Sequence, residues 1–328
     1  MRATIVRNRC LSPAYRHLGI AAPGFPPAFR AGEFVMVRPP WVGDPFLPRA
    51  YSLYRVSPAA REPASPPGGP VVEILYKVVG KGTHTLSRME PGQEVELLGP
   101  LGNAFSVPAE TARAVLVAGG IGVPPIAALA AQVGRERGSG IRDQGSGVRG
   151  QELGVSGQEP VEETGKARGT VRRGSTCRPP IPDPRGPTPT PHPPPPIPRI
   201  EVFLGGRAAE DILCAADFEA VGAGLHVTTE DGSLGTRGLV TDLLRPFLAR
   251  HGGGGARIYA CGPQGMLESV GCLAEVMAIP CELSLEANMA CGFGACMGCA
   301  VPVRGPEPRY KLCCKDGPVF EASEVLWE

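Results

Sequence analysis

The amino-acid sequence predicts a multi-domain protein of class β plus α/β: an antiparallel barrel-type domain, a parallel-sheet α/β domain and a small cysteine-rich carboxyl-terminal domain. Three observations predict it. Short alternating apolar runs, separated by Gly/Pro turns, fill the first third of the chain. The pattern then switches to an all-apolar strand, a glycine turn and a helix of small residues. Near the carboxyl end three cysteines crowd among glycines in "ANMACGFGACMGCAVPVRG". On this reading the domains span residues 1–108, 109–280 and 281–328.

The strands of the first domain are expected at "RATIVR", "EFVMVRP", "RAYSLYRVS", "VVEILYKVV" and "QEVELLGP". In "RAVLVAGGIGVPPIAALAAQV" the strand Ala114–Ala118 runs into glycines, and prolines open the helix that follows. Further strands are expected at "IEVFLGG", "LHVTTED" and "RIYACGP", with the helical segment "GLVTDLLRPFLARH" between the last two. The uncharged run Ala114–Val133 matches a membrane span in length, but "GGIG" and "PP" break it into strand, turn and helix.

Between residues 134 and 199 the chain changes character. "GSGIRDQGSGVRGQELGVSGQ" is a degenerate repeat, and 12 of the 22 residues from Arg178 to Arg199 are proline. No aromatic residue occurs between Phe105 and Phe203. Such a segment buries too little apolar surface to offset chain entropy and is expected to be a disordered insertion. A spacer without a partner and a proline-rich ligand are the two roles open to it.

The 328 residues carry a formal charge of +1 and only 20% are charged, which gives no basic surface for nucleic acid or an anionic membrane. The start "MRATIVRNRCLS" reads as a strand rather than a signal peptide, so the expected location is cytoplasmic. Eleven cysteines in such a chain favour metal binding or reduced thiols over disulfides.

Cys291, Cys296 and Cys299 have the spacing C-x4-C-x2-C, and "YKLCCKDGPVF" offers a fourth sulfur from Cys313 or Cys314. That is the plant-type [2Fe–2S] pattern, with three ligands on one loop and a fourth returning later. A zinc ribbon would pair two short C-x2-4-C knuckles, whereas here a single C-x2-C stands beside a longer step. Spacing alone leaves Cys313 and Cys314 open.

Two strand ends suit a nucleotide. Gly119, Gly120 and Gly122 form a glycine loop after a buried strand, fit for a pyrophosphate at a helix N-terminus. Cys261, Gly262 and Pro263 end a second strand before another helix. In the first domain, Arg49 and Tyr51 share one face of an extended strand, a guanidinium for a phosphate and a ring to lie against a flavin. Gly80, Gly82 and Thr83 open a short helix that suits a second anion. Each piece taken singly is equally an ordinary strand or tight turn.

In this order the motifs resemble the ferredoxin–NADP reductase superfamily. With the terminal "CGFGACMGCAV…YKLCCKDGPVF", the chain outside the insertion resembles the electron-transfer subunits of NAD-dependent, heteromeric dihydroorotate dehydrogenases. The phrases "GPLGNAF", "EDGSLGTRGLVTDLL" and "DGPVF" carry the same likeness. The resemblance implies FAD held by Arg49, Ala50, Tyr51 and Ser52, by Leu75, Tyr76 and Lys77, and by Gly82 and Thr83. It implies NAD as co-substrate, and it selects Cys314 as the fourth cluster ligand, directly before "KDGPVF". The implied partner is an FMN-containing subunit that oxidises dihydroorotate, in a complex of two copies of each chain; no membrane or nucleic acid takes part. No catalytic side chain for dihydroorotate is found in this chain. Departures are "RAYS" where the family has "RPIS", the insertion, and Asn288 where a basic residue is usual. The choice between NAD and NADP is expected to rest on residues near Arg207 and Glu230–Arg237. Two other functions use the same motifs: a free-standing NAD(P)H reductase that feeds an oxygenase or ferredoxin, and a non-enzymatic iron–sulfur sensor or adapter.

Overall fold

Residues 114–118, Ala-Val-Leu-Val-Ala, are all buried, and a strand apolar on both faces must lie at the centre of a layered sheet. A computed structural model of the chain describes residues 1–40, 47–57, 69–142, 198–305 and 309–327, without the side chains of 136–142. It puts that strand, Arg113–Gly119, in the middle of a seven-stranded sheet.

The amino-terminal layer consists of β1 (Arg2–Ser12), β2 (Tyr15–Ala21), β3 (Phe34–Arg38), β4 (Arg49–Ser52), β5 (Arg55–Ser57), β6 (Val71–Lys77) and β7 (Glu94–Leu101), with helix α1 (Lys81–Ser87) after β6. Its order is β4-β3-β7-β1-β2-β6-β5, antiparallel throughout. The sheet curls until Tyr51 of β4 meets Tyr76 of β6 edge-on, ring centres 5.9 Å apart, without a hydrogen-bonded closure among the described residues. Two expectations are refined. β2 carries no clean alternation and is not foreseen, and "RAYSLYRVS" is two strands split at the buried pair Leu53 and Tyr54.

The second layer contains β8 (Arg113–Gly119), α2 (Val123–Arg142), β9 (Arg199–Gly206), α3 (Ala215–Ala220), β10 (Gly224–Thr229), β11 (Thr236–Arg237), α4 (Val240–His251), β12 (Ala256–Cys261), α5 (Gln264–Val276) and β13 (Cys281–Ser284). After the hairpin β14 (Ala300–Val303) and β15 (Arg309–Leu312), β16 (Val319–Glu321) returns antiparallel to β13. The order is β11-β10-β9-β8-β12-β13-β16, so the chain winds one way from β8 to β11 and the other way through β12 and β13. That reversal opens a crevice at the carboxyl ends of β8 and β12. One face is covered by α2 and α3, the other by α4, α5 and the cysteine-bearing segment.

Helix α2 continues past Gly134 to Arg142, so the insertion expected at 134–199 begins inside a helix; residues 143–197 lie outside the described residues. Among the described residues no helix is long and apolar enough to cross a membrane.

Two carboxylates bridge the layers. Asp211 accepts the Tyr15 hydroxyl at 2.5 Å and pairs with Lys77 at 3.4 Å, while Asp217 accepts Tyr54 and Arg55. Within the first layer the buried Glu73 accepts His17 Nε2 at 2.8 Å and Ser57 Oγ at 2.6 Å, with Arg7 at 3.7 Å. Burial would raise this carboxyl, but those hydrogen bonds and cations outweigh it and hold its pKa down at about 2. A depressed carboxylate stabilises the fold above the ordinary carboxylate range and loses that contribution as pH falls through the folded value. Glu73→Gln is therefore expected to cost about 2 kcal/mol at neutral pH and much less near pH 2, measured by denaturant midpoints.

Candidate functional site

Strand β4 presents two faces because successive side chains alternate. Arg49 and Tyr51 pair across β3 with Val37 and Val35 on the inner face of the first layer. Ala50 pairs with Met36 and packs on the opposite side, in the core that contains Cys299, Cys313 and Cys314. One strand thus separates the expected flavin side chains from the expected cluster.

On the first face, Arg49 folds over the start of α1 and donates to the Leu47 carbonyl. A Cβ built on Gly82 would stand 2.8 Å from Arg49 Nε, so a side chain there would displace the guanidinium from the start of α1. Thr83 Oγ1 accepts the N–H groups of Val79 and Gly80 at 3.0 and 3.1 Å, which shapes the turn into α1. Tyr51 is raised well above the usual phenol range by burial and then by Tyr76. Leu75 and Tyr76 are buried in β6, and Lys77 lies 4.9 Å over the Tyr15 ring. Arg49, Tyr51, Tyr76, Gly82 and Thr83 are brought together, and the guanidinium beside a helix start fits a flavin pyrophosphate. Ser52 follows on the cluster-facing side of β4.

The cysteine loop occupies the other face. Gly292 and Gly294 have φ of 83° and 89°, and Met297 joins them at 58°, so the backbone wraps in the left-handed region. The wrap aims N–H groups at sulfur. Those of Phe293 first, then Cys296, lower the Cys291 thiol to about 6. Cys314 stands beside Cys299, its N–H 3.4 Å from Cys299 Sγ; burial first, then Cys299, pushes its thiol up to about 12. Gly294 N–H also reaches Cys314. Cys313 turns away, its Sγ donating to the Leu285 carbonyl at 3.4 Å inside the core. Among the described residues no three donors close around one metal ion. A two-iron cluster needs pairs of thiolates around two centres and N–H groups directed at sulfur, and this loop fits that demand.

The third element is the crevice, a cleft of about 640 Å³. Gly119, Gly120, Gly262 and Pro263 line it, with Arg207 and Glu230 at the ends of β9 and β10. Gly122 lies behind the lining, where a Cβ would collide with the Cys261 carbonyl, so it sets how closely the two strand ends approach. Cys261 is buried and contributes backbone; burial first, then Glu286, raises its thiol. Asp211 stays below its ordinary value, because hydrogen bonds from Tyr15 and the Arg207 N–H outweigh the effect of burial. Glu286, just past β13, lines the cleft without a hydrogen-bond partner among the described residues, and desolvation raises its pKa. Tyr15, Met36, Asp211 and Glu286 were not foreseen, because their importance arises from contacts between distant segments.

Comparison with known proteins follows the same division. A family model described as the iron–sulfur cluster binding domain of dihydroorotate dehydrogenase B matches residues 286–326. The dihydroorotate dehydrogenase B (NAD(+)) electron transfer subunit of Bacillus caldolyticus is 31% identical over 328 residues, covering 99% of this chain and 98% of the relative. That of Desulforamulus reducens is 29% identical over 327 residues, with 99% and 98% covered. Among solved structures, an NADH-dependent reduced ferredoxin–NADP oxidoreductase aligns with TM-score 0.66 at 22% identity, over 99% of this chain and 90% of that one. A ferredoxin NADP+ reductase from Neisseria gonorrhoeae with bound FAD and NADP gives 0.53 at 14%, over 84% and 91%. At these identities the solved structures establish the fold.

Cys296→Ser and Cys314→Ser are expected to abolish iron binding while Cys313→Ser retains it, read by iron content and visible absorbance of anaerobically purified protein. Gly122→Ala is expected to lower stability by about 1–3 kcal/mol in denaturant titration, because the added methyl meets backbone.

Proposed function

The chain belongs to the family of electron-transfer subunits of NAD(+)-dependent dihydroorotate dehydrogenase B, and from that premise we propose the following relay. Electrons from dihydroorotate oxidised in a partner subunit would enter at the cysteine loop, whose thiolates would hold the cluster, and would leave on NAD+ by way of the FAD held on the other face of β4, a step of pyrimidine biosynthesis. Dihydroorotate loses two electrons and two protons; NAD+ takes up two electrons and one proton, and one proton is released. When bound, the [2Fe–2S] cluster carries single electrons, and FAD converts between single-electron and hydride transfer.

The observation that carries this reading is the two-faced strand β4, with Arg49 and Tyr51 on one side and the Cys299–Cys314 core behind Ala50. Cys291, Cys296, Cys299 and Cys314 would hold the cluster, with backbone N–H groups stabilising thiolate at Cys291. Arg49 and the first turn of α1 would hold the flavin phosphates, and Tyr51 with Tyr76 would supply an aromatic wall. The glycines at the ends of β8 and β12 leave the backbone open for the dinucleotide. The segments 1–108, 109–280 and 281–328 would then serve FAD, NAD and the cluster in turn.

The partner belongs to the proposal: an FMN-containing catalytic subunit, two copies of each chain, in the cytoplasm. The exposed Phe293 and Met297 support docking at the cysteine loop. The free thiols among the described cysteines support a reducing compartment. Co-expression with the partner is expected to yield dihydroorotate-dependent NADH formation, whereas this chain alone reduces an artificial acceptor with NADH but does not turn over dihydroorotate. A chain that docks to an oxygenase and gives no dihydroorotate-dependent NADH would contradict the assignment.

A further inference from the structure

Of the two carboxylates that bridge the layers, Asp211 also lines the cleft. Its two oxygens serve different layers. Oδ1 accepts the Tyr15 hydroxyl at 2.5 Å and faces Lys77 Nζ at 3.4 Å, both from the first layer. Oδ2 accepts the Arg207 N–H at 2.9 Å, just past β9 in the second. Gly206 permits this approach, since a Cβ there would stand 2.7 Å from Asp211 Cβ. The Tyr15 side is equally committed. Tyr15 begins β2 and pairs with Lys77, the last residue of β6. Its ring is fully buried, with Lys77 Nζ 4.9 Å above it. Its hydroxyl also touches the glycine loop, 3.6 Å from where a Cβ on Gly120 would lie. One phenol therefore joins β6 beside it, the turn after β8 and the loop after β9.

The proton stays on Tyr15 and the charge on Asp211. Burial raises the Asp211 carboxyl, but hydrogen bonds from Tyr15 and the Arg207 N–H outweigh it; burial and then the same bond raise the Tyr15 phenol. Such a charge-assisted bond is short and directional. In the proposed relay the flavin rests on the first layer and the dinucleotide on the second. Anionic reduced FAD gives one hydride to NAD+, leaving FAD and NADH, and no further proton moves. The reacting atoms must come within about 3–3.5 Å, and a misplacement of about 1 Å costs roughly a hundredfold in rate. The spacing of the layers at the cleft is therefore the spacing of the reactants, and the Tyr15–Asp211 bond spans it there.

We propose that Tyr15, acting through Asp211, is a positioning residue for hydride transfer: its hydrogen bond sets the separation at which the nicotinamide ring meets the flavin. This rests on the relay reading of the cleft. The test uses the full-length holoprotein and Tyr15→Phe, which keeps the buried ring and removes only the hydroxyl. Tyr54→Phe is the control, because Tyr54 donates to Asp217, the other bridging carboxylate, which is outside the cleft lining among the described residues. Oxidised proteins are titrated with tetrahydro-NAD, a non-reacting analogue. Its long-wavelength charge-transfer absorbance reports stacking of the nicotinamide ring on the flavin without turnover. Anaerobic flavin bleaching by NADH is followed alongside by stopped flow. Tyr15→Phe is expected to lose about half or more of the saturating absorbance and to slow the limiting bleaching rate about tenfold, with the titration midpoint within about threefold of wild type. Asp211→Asn is expected to act in the same direction, because a carboxamide has one acceptor oxygen where two layers donate. Tyr54→Phe is expected to stay within about twofold of wild type in both readouts. Wild-type absorbance and rate in Tyr15→Phe and Asp211→Asn, a loss confined to affinity, or an equal loss in Tyr54→Phe would overturn the proposal while sparing the relay. A wild type that neither shows the band nor bleaches with NADH would overturn both.

Discussion

The structure depends on one close packing, Gly292 of the cysteine loop against Met36 of β3. A Cβ at Gly292 would come 2.5 Å from Met36 Cγ and 3.3 Å from Leu101 Cδ1, so only a glycine lets the loop lie flat on the first layer. Its positive φ serves the same end. Met36 pairs with Ala50, and Ala50 is flanked by Arg49 and Tyr51 on the other face. A loop held off by even one methyl group would lengthen the path between the two faces of β4. In the proposed relay electron transfer is sensitive to such spacing, and this contact fixes how closely the loop lies on the first layer.

The crevice follows from chain direction. Because the winding reverses between β8 and β12, the connections that leave these paired strands diverge to opposite faces, α2 on one and α5 on the other, and leave space that a continuously wound sheet would not. Gly122 keeps those strand ends close at their base. The first layer closes the crevice from the side through Tyr15 and Lys77, both anchored on Asp211. Asp211, one of the two carboxylates that join the layers, therefore also shapes the site.

Much of this was legible in the sequence. The C-x4-C-x2-C spacing, the glycine turn after Ala114–Ala118 and the Arg49–Tyr51 pair are local patterns, each set within a few residues. Cys314 over Cys313 is a selection that only the resemblance makes; in the structure the Cys314 thiol lies beside Cys299, and the Cys313 thiol donates to the Leu285 carbonyl. What could not be read was long-range. Tyr15 and Asp211 are 196 positions apart, and nothing local marks either. β2, with consecutive buried residues from Leu18 to Ala21, lacks the period that identifies a half-exposed strand. The helix through Gly134 defeats composition because the preceding apolar face carries α2 onward.

The most direct test of this account is low-temperature electron paramagnetic resonance of the isolated chain, reduced anaerobically with NADH. The relay predicts that flavin bleaching is accompanied by a reduced [2Fe–2S] signal approaching one per chain, since it requires electrons to pass from the crevice across β4 to the cysteine loop. Flavin that bleaches fully beside an intact cluster that a chemical reductant reduces but NADH does not would contradict it.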